Sequence, residues 1–272
     1  MENLNRYIKH DLNQLFYKKR NMYFYLFLLA LFLFDTFYTV YIQSAFDIED
    51  SVYWYVFLEN SFSLIRGLYF IIIPLLASFP FASQYFYEKK SNFRNYLIVR
   101  GNRKAYYTSK LLVSFGSGFF IIFSVLIINY VICYFVYPHN LVIGGTFVEP
   151  DDGAFLQNVF HHSPSLYQLM YIVINSIAGG IFSLFAFSLS LILNYKSEFL
   201  VLGVPFILFS IQAVVLYFVF PQVDILTIIQ PATRFAFVSP ITFEHILSCL
   251  ILWSLLIIFA FSIGYKKERD LT

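Results

Sequence analysis

Six uninterrupted apolar runs, each long enough to cross a lipid bilayer, leave this sequence few architectures to choose from. They cover residues 22–42, 61–81, 111–134, 169–193, 199–220 and 246–263. A helix rises about 1.5 Å per residue, so roughly 20 residues cover a hydrocarbon core of about 30 Å. With no water in that core, the backbone has to satisfy its own polar groups, which favours helices. Apolar residues make up 59 % of the 272 and charged ones only 12 %, too few to cover a soluble globule. The 35 Phe suit acyl chains and the 22 Tyr suit the headgroup layer. A disordered chain, a nucleic-acid-binding domain and a disulfide scaffold are excluded, the last because only Cys133 and Cys249 are present. The expected fold is an all-α integral membrane protein with six transmembrane helices, forming one domain over 1–272. The first run lacks a small-residue cleavage site and is expected to remain as a span.

Charge fixes the expected orientation. Arg6, Lys9, Lys18, Lys19 and Arg20 precede the first run, and Lys89, Lys90, Arg94, Arg100, Arg103, Lys104 and Lys110 separate the second from the third. Lys196 follows the fourth, and Lys266, Lys267 and Arg269 follow the sixth. All lie on one side of a six-span chain, and only Arg66 and Arg234 fall elsewhere. The positive-inside rule therefore places both termini in the cytoplasm. Asp47, Glu49, Asp50, Glu59, Glu149, Asp151, Asp152, Asp224 and Glu244 gather on the other side.

Between the spans the sequence is uneven. Residues 1–21 place Leu4, Ile8, Leu12, Leu15 and Phe16 three and four apart among basic residues, the pattern of an amphipathic helix in the inner interface. The stretch 137–167 is polar and turn-rich. The stretch 221–245 is apolar yet broken by Pro221, Pro231 and Pro240, as expected of short re-entrant helices packed on protein, with Ile225, Leu226, Ile228, Ile229, Phe235 and Phe237 inward. His161 and His162 with Glu149, Asp151 and Asp152 could form an external metal site, but adjacent histidines point apart and acidic turns are usually solvated.

No phosphate-binding loop, metalloprotease pair or nucleophile elbow occurs, so the chain is not expected to hydrolyse ATP by that route or to be an enzyme, and no metal is expected. The richest polar segment is the loop 87–110. Within it Asn92 to Arg100 repeats Phe93, Tyr96, Leu97 and Arg100 at helical spacing, and Gly101-Asn102 ends the helix. The apolar face of that helix can rest on the inner leaflet or dock in a groove of a cytoplasmic partner.

Glu88, the helix 92–99, the turn Arg100-Gly101-Asn102-Arg103, then Tyr106-Tyr107 and Lys110, follow one another in an order that resembles the permease subunits of type-2 ABC transporters. The ending Tyr265-Lys266-Lys267-Glu268-Arg269-Asp270-Leu271 is similar to theirs as well. The resemblance implies a dimer of permease chains, a homodimer or a heterodimer, each seated on a separate ATP-binding subunit that holds ATP and Mg. It implies that Phe93, Tyr96 and Leu97 enter that ATPase, with Glu88, Arg94, Arg100 and Arg103 around them as coupling residues. It also implies export across a bacterial plasma membrane. The aromatic spans fit hydrophobic or amphipathic cargo such as an antimicrobial peptide, a lipid or a drug. The alternative is a stand-alone immunity protein that sequesters a peptide toxin without an ATPase.

Asp35 and Arg66 are ionisable residues well inside apolar runs. A lone charge there costs at least about 2.5–3.5 kcal/mol, so each needs a partner. Both sit near the outer side, and an Asp35–Arg66 ion pair between the first two spans is expected; lining of a substrate pathway and snorkelling are the alternatives. Ser114/Gly118, Ser176/Gly180 and Gly179/Ser183 recur at the spacing that lets helices approach closely.

Overall fold

The computed structural model describes residues 2–45, 56–58, 63–100, 102–137, 154–193, 195–231 and 240–270, and among them no strand occurs. Among the described residues eleven α-helices follow in chain order: α1 Glu2–Tyr17, α2 Lys19–Ala45, α3 Arg66–Ser78, α4 Gln84–Lys90, α5 Phe93–Arg100, α6 Arg103–Val136, α7 Gln157–His162, α8 Pro164–Ile192, α9 Glu198–Val219, α10 Ile225–Ile228 and α11 Phe243–Asp270. Five of them, α2, α6, α8, α9 and α11, are long and apolar enough to cross a membrane. The chain is an all-α membrane protein.

The second apolar run forms only the 13-residue α3. Its start is set by Ser63, whose Oγ accepts from the Arg66 N–H at 2.9 Å and donates to Asp35 of α2 at 2.6 Å, while the same carboxylate accepts from the Leu64 and Ile65 backbone N–H at 3.0 and 3.3 Å. Its end is set by Pro80, which has no N–H to continue the helical ladder, so residues 79–83 are turns. The third run is longer than its apolar part. Asn102 caps α6 by accepting from the N–H of Lys104 at 2.9 Å and Ala105 at 3.4 Å. Residues 103–110, expected in the cytoplasmic loop, are therefore the first turns of a 34-residue helix.

α8 is the central helix, packed by α6, α11, α3 and α9. It meets α6 at the small residues. A Cβ on Gly118 would lie 2.5 Å from the Gly179 carbonyl oxygen, and one on Gly179 would lie 2.8 Å from the Gly118 carbonyl oxygen. One turn away Ser114 Oγ donates to the Ser183 carbonyl at 2.9 Å. Trp253 of α11 is buried edge-on against Phe182 and Phe185. Two asparagines tie helices within the apolar core. Asn129 donates to Thr36 Oγ1 at 2.7 Å and accepts from the Phe57 N–H at 3.0 Å; Asn175 donates to the Ile229 carbonyl at 2.8 Å.

Within the connection from α9 to α11, Pro221–Val223 is a 3₁₀ turn and α10 follows. Ile225, Ile228 and Ile229 are buried against the bundle, as the apolar, proline-broken sequence requires. Arg234, Phe235 and Phe237 lie outside the described residues, as do Glu149, Asp151 and Asp152. His161 and His162 end α7 with their side chains exposed. Cys133 and Cys249 are buried and form no disulfide.

Candidate functional site

One end of the bundle gathers α1, α4, α5, the start of α6 and the end of α11, and with them most of the basic residues. Two turns of helix, α4, form its hub. Gln84, Tyr85 and Glu88 recur on the buried face of α4, while Tyr87 is exposed.

Glu88 is buried and accepts three hydrogen bonds: from Tyr106 Oη at 2.6 Å, Gln84 Nε2 at 2.9 Å and Lys110 Nζ at 2.5 Å. Lys110 is fully buried and also donates to Asp11 Oδ1 at 2.7 Å. The second Asp11 oxygen accepts from Ser109 Oγ at 2.8 Å. One ammonium thus bridges two carboxylates and binds α1, α4 and α6 together. Burial drives both carboxyl pKa values up. At Glu88 the Lys110 charge and the bonds from Lys110, Tyr106 and Gln84 outweigh burial and hold it below the usual carboxylate range. At Asp11 burial wins over Lys110, and Asp11 stands above that range. His10, Asp11 and Glu88 also present ligand atoms within 4.8 Å of one another, but the two carboxylates there already share the Lys110 ammonium.

The helix α5 sits beside this cluster and divides into two faces at about 100° per residue. Arg94, Leu97 and Ile98 turn inward. Arg94 is buried, pairs with Glu268 of α11 and donates to Tyr85 Oη at 3.2 Å. Glu268 is fully buried and also accepts from Lys89 Nζ at 2.8 Å. Leu97 and Ile98 pack against a cluster of Tyr85, Tyr106, Tyr107, Phe187 and Leu191, and the Leu97 carbonyl accepts from Tyr7 Oη at 2.8 Å. Phe93, Tyr96 and Val99 turn outward, at 37, 47 and 84 % exposure, with the Phe93 and Tyr96 rings stacked 5.9 Å apart.

The expected coupling residues therefore do not share one face. Leu97 and Arg94, expected against a partner, belong to the inner face of this chain. Arg103 lies over the Tyr265 ring of α11 at 5.1 Å and is likewise turned inward. The Arg100 side chain lies outside the described residues. Phe93 and Tyr96 remain outward, and Val99 joins them.

Three partners of the site escaped the sequence reading. Asp11 of α1 falls within the stripe Leu4, Ile8, Leu12, Leu15, and a charge inside an apolar stripe was the signal for it. Glu268 had been noted only as part of a charged ending. Glu198, at the start of α9, pairs with Arg20 and accepts from Tyr87 Oη, tying α2, α4 and α9 at this same end.

Asp35 and Arg66 correct an expectation. The Asp35 carboxylate joins the first two apolar runs, but through Ser63 Oγ at 2.6 Å and the Leu64 and Ile65 N–H groups. Among the described residues no ion pair links it to Arg66, whose guanidinium lies over the Phe70 ring at 5.8 Å. A carboxylate taking two backbone donors at a helix start leaves little room for a guanidinium in the same plane. Asp35→Ala is expected to cost about 1–3 kcal/mol, because it leaves three part-buried donors without their acceptor. Arg66→Gln added to it is expected to recover nothing. Thermal midpoints of the two singles and the double in detergent check this, and recovery in the double would restore the ion pair.

Compared with protein-family models, curated proteins and solved structures, the chain matches none. The site's own geometry has to carry the functional argument.

Proposed function

We propose that the chain is the membrane-spanning subunit of an ATP-driven ABC exporter, with α5 as the helix that a separate ATPase subunit grips. In this reading α3 joins the five long helices as a sixth, shorter crossing, and α10 is part of a re-entrant segment. The basic end faces the cytoplasm, with both termini there. Two such chains form the translocating unit in a bacterial plasma membrane, and ATP and Mg are held by the partner. Cargo is hydrophobic or amphipathic, such as an antimicrobial peptide, a lipid or a drug.

The observation that carries the reading is the division of α5. Its outer face offers Phe93, Tyr96 and Val99, while its inner face is locked by a buried Arg94–Glu268 pair. Burying an ion pair is costly, and what it supplies is a fixed orientation. A helix that only rested among headgroups needs no such anchor. A lever does, because a force on its outer face has to reach the spans. From α5 that force passes through Glu268 to α11, through Leu97 to Tyr7 of α1, and through α4 to Lys110 of α6.

Phe93→Asp with Tyr96→Asp tests this. Tyr96 points outward and Phe93 is partly exposed beside the His10 ring of α1, so insertion is expected to stay as in the parent and the thermal midpoint to fall only slightly. Loss of two aromatic anchors is worth about 2 kcal/mol or more at an interface, about a thirtyfold drop in co-purified ATPase subunit. Unchanged co-purification and unchanged transport would overturn the assignment.

A further inference from the structure

A cavity of about 460 Å³ opens at the corner where α8 ends and α9 begins. Its walls include Phe86, Lys89, Lys90, Leu193, Tyr195 and Lys196. From this composition the geometry points to a binding site for an anionic phospholipid, its phosphate held by Lys90 and Lys196 and its first acyl carbons over Phe86 and Leu193.

Depth is the first argument. The cavity lies between Ile192 and Glu198, in the turn from one membrane-crossing helix to the next, and such a turn sits in the headgroup layer. Charge is the second. Three lysines line one small cavity, and Lys267 adds a fourth positive charge at the same corner by capping the Ile192 carbonyl at 2.7 Å. Lys90 and Lys196 are exposed, and among the described residues no carboxylate pairs with either. The nearby acids are already engaged: Glu198 with Arg20 and Tyr87, and Glu268 with Arg94 and Lys89. The cavity therefore carries positive charge at Lys90 and Lys196 that no carboxylate among the described residues pairs with, and a diester phosphate supplies one negative charge. A third observation is the Tyr195 hydroxyl, which is buried and has no hydrogen-bond partner among the described residues. A buried hydroxyl is rarely left so, and a small rotation of its side chain would turn it toward a phosphate or glycerol oxygen in the cavity. Apolar walls beside the lysines select a lipid over a free anion, since inorganic phosphate gains nothing from Phe86 and Leu193. Lys89 lines the cavity and also holds Glu268, so the site adjoins the anchor of α5 without depending on any role for that helix.

The test uses the full chain in an uncharged detergent, titrated separately with phosphatidylglycerol, phosphatidylcholine and inorganic phosphate. The readouts are the thermal midpoint and the lipid retained through washing. Phosphatidylglycerol is expected to raise the midpoint and to be retained, and the other two are expected to do neither at the same concentration. In Lys90→Gln with Lys196→Gln, phosphatidylglycerol binding should weaken about thirtyfold. Lys90→Arg with Lys196→Arg should keep it, which separates lost charge from lost fold. Tyr195→Phe should weaken it by a smaller factor. Equal binding by the double Gln variant, equal retention of phosphatidylcholine, or the same shift from inorganic phosphate alone would each overturn the proposal.

Discussion

Lys110→Met is expected to be the most damaging single substitution in the chain, costing about 3–5 kcal/mol, the range found when one partner of a buried ion pair is removed. The Lys110 ammonium is fully buried and is the shared partner of Asp11 and Glu88. Without it two carboxylates face each other with burial opposing the charge on both. Methionine fills the space of the lysine stem, so the effect is electrostatic and not a cavity. Folded proteins are stable by about 5–15 kcal/mol, so the loss is a large share of the whole. The expected observation is a sharp fall in the folded fraction recovered from membranes. Adding Asp11→Asn and Glu88→Gln to Lys110→Met should restore most of it, because amides need no counter-charge. A Lys110→Met protein as stable as its parent would show that the three groups are not coupled as described.

Gly118→Leu is expected to be nearly as damaging, by a different mechanism. Its Cβ would lie 2.5 Å from the Gly179 carbonyl oxygen and 2.7 Å from Ser183 Cβ. The first of these obstacles is backbone, which cannot rotate aside, and the remaining leucine atoms extend the clash. Overpacking of this kind costs about 1–3 kcal/mol, occasionally more, and here α6 and α8 have to separate to relieve it. Separation also breaks the Ser114–Ser183 hydrogen bonds. Gly116, on the same helix, has nothing within 4 Å of its Cβ position, and Gly116→Leu is expected to leave the stability within about 0.5 kcal/mol of the parent, with a midpoint close to the parent's. Equal midpoints for the two variants would contradict the close crossing.

Five of the six expected spans were legible because lipid imposes one rule on every residue of a long apolar run. The small-residue spacings in the third and fourth runs were legible for a related reason, since they mark the α6–α8 crossing directly. What hydropathy could not show was where polar partners interrupt it. α3 is short because Ser63, held by Asp35 of another helix, caps its first N–H and Pro80 ends it, and only the link to Asp35 is invisible locally. The helix α5 was legible as a helix, but Phe93, Tyr96, Leu97 and Arg100 were read as one face. The spacing Arg94, Leu97, Ile98 defines the opposite face, and it is the buried Glu268, far away in sequence, that decides which way Arg94 turns. Asp11 was hidden for the same reason. Its place in an apolar stripe makes sense only once the buried Lys110 is set beside it.

The central claim is that the outer face of α5 meets another polypeptide. Val99 is its most exposed member, so a photo-reactive residue placed there reads directly what lies against it. In intact membranes the account predicts that light links position 99 to a protein carrying a phosphate-binding loop, and that a probe at the inward Ile98 gives no such product. Cross-links from position 99 to lipid alone, with no polypeptide attached, would contradict it.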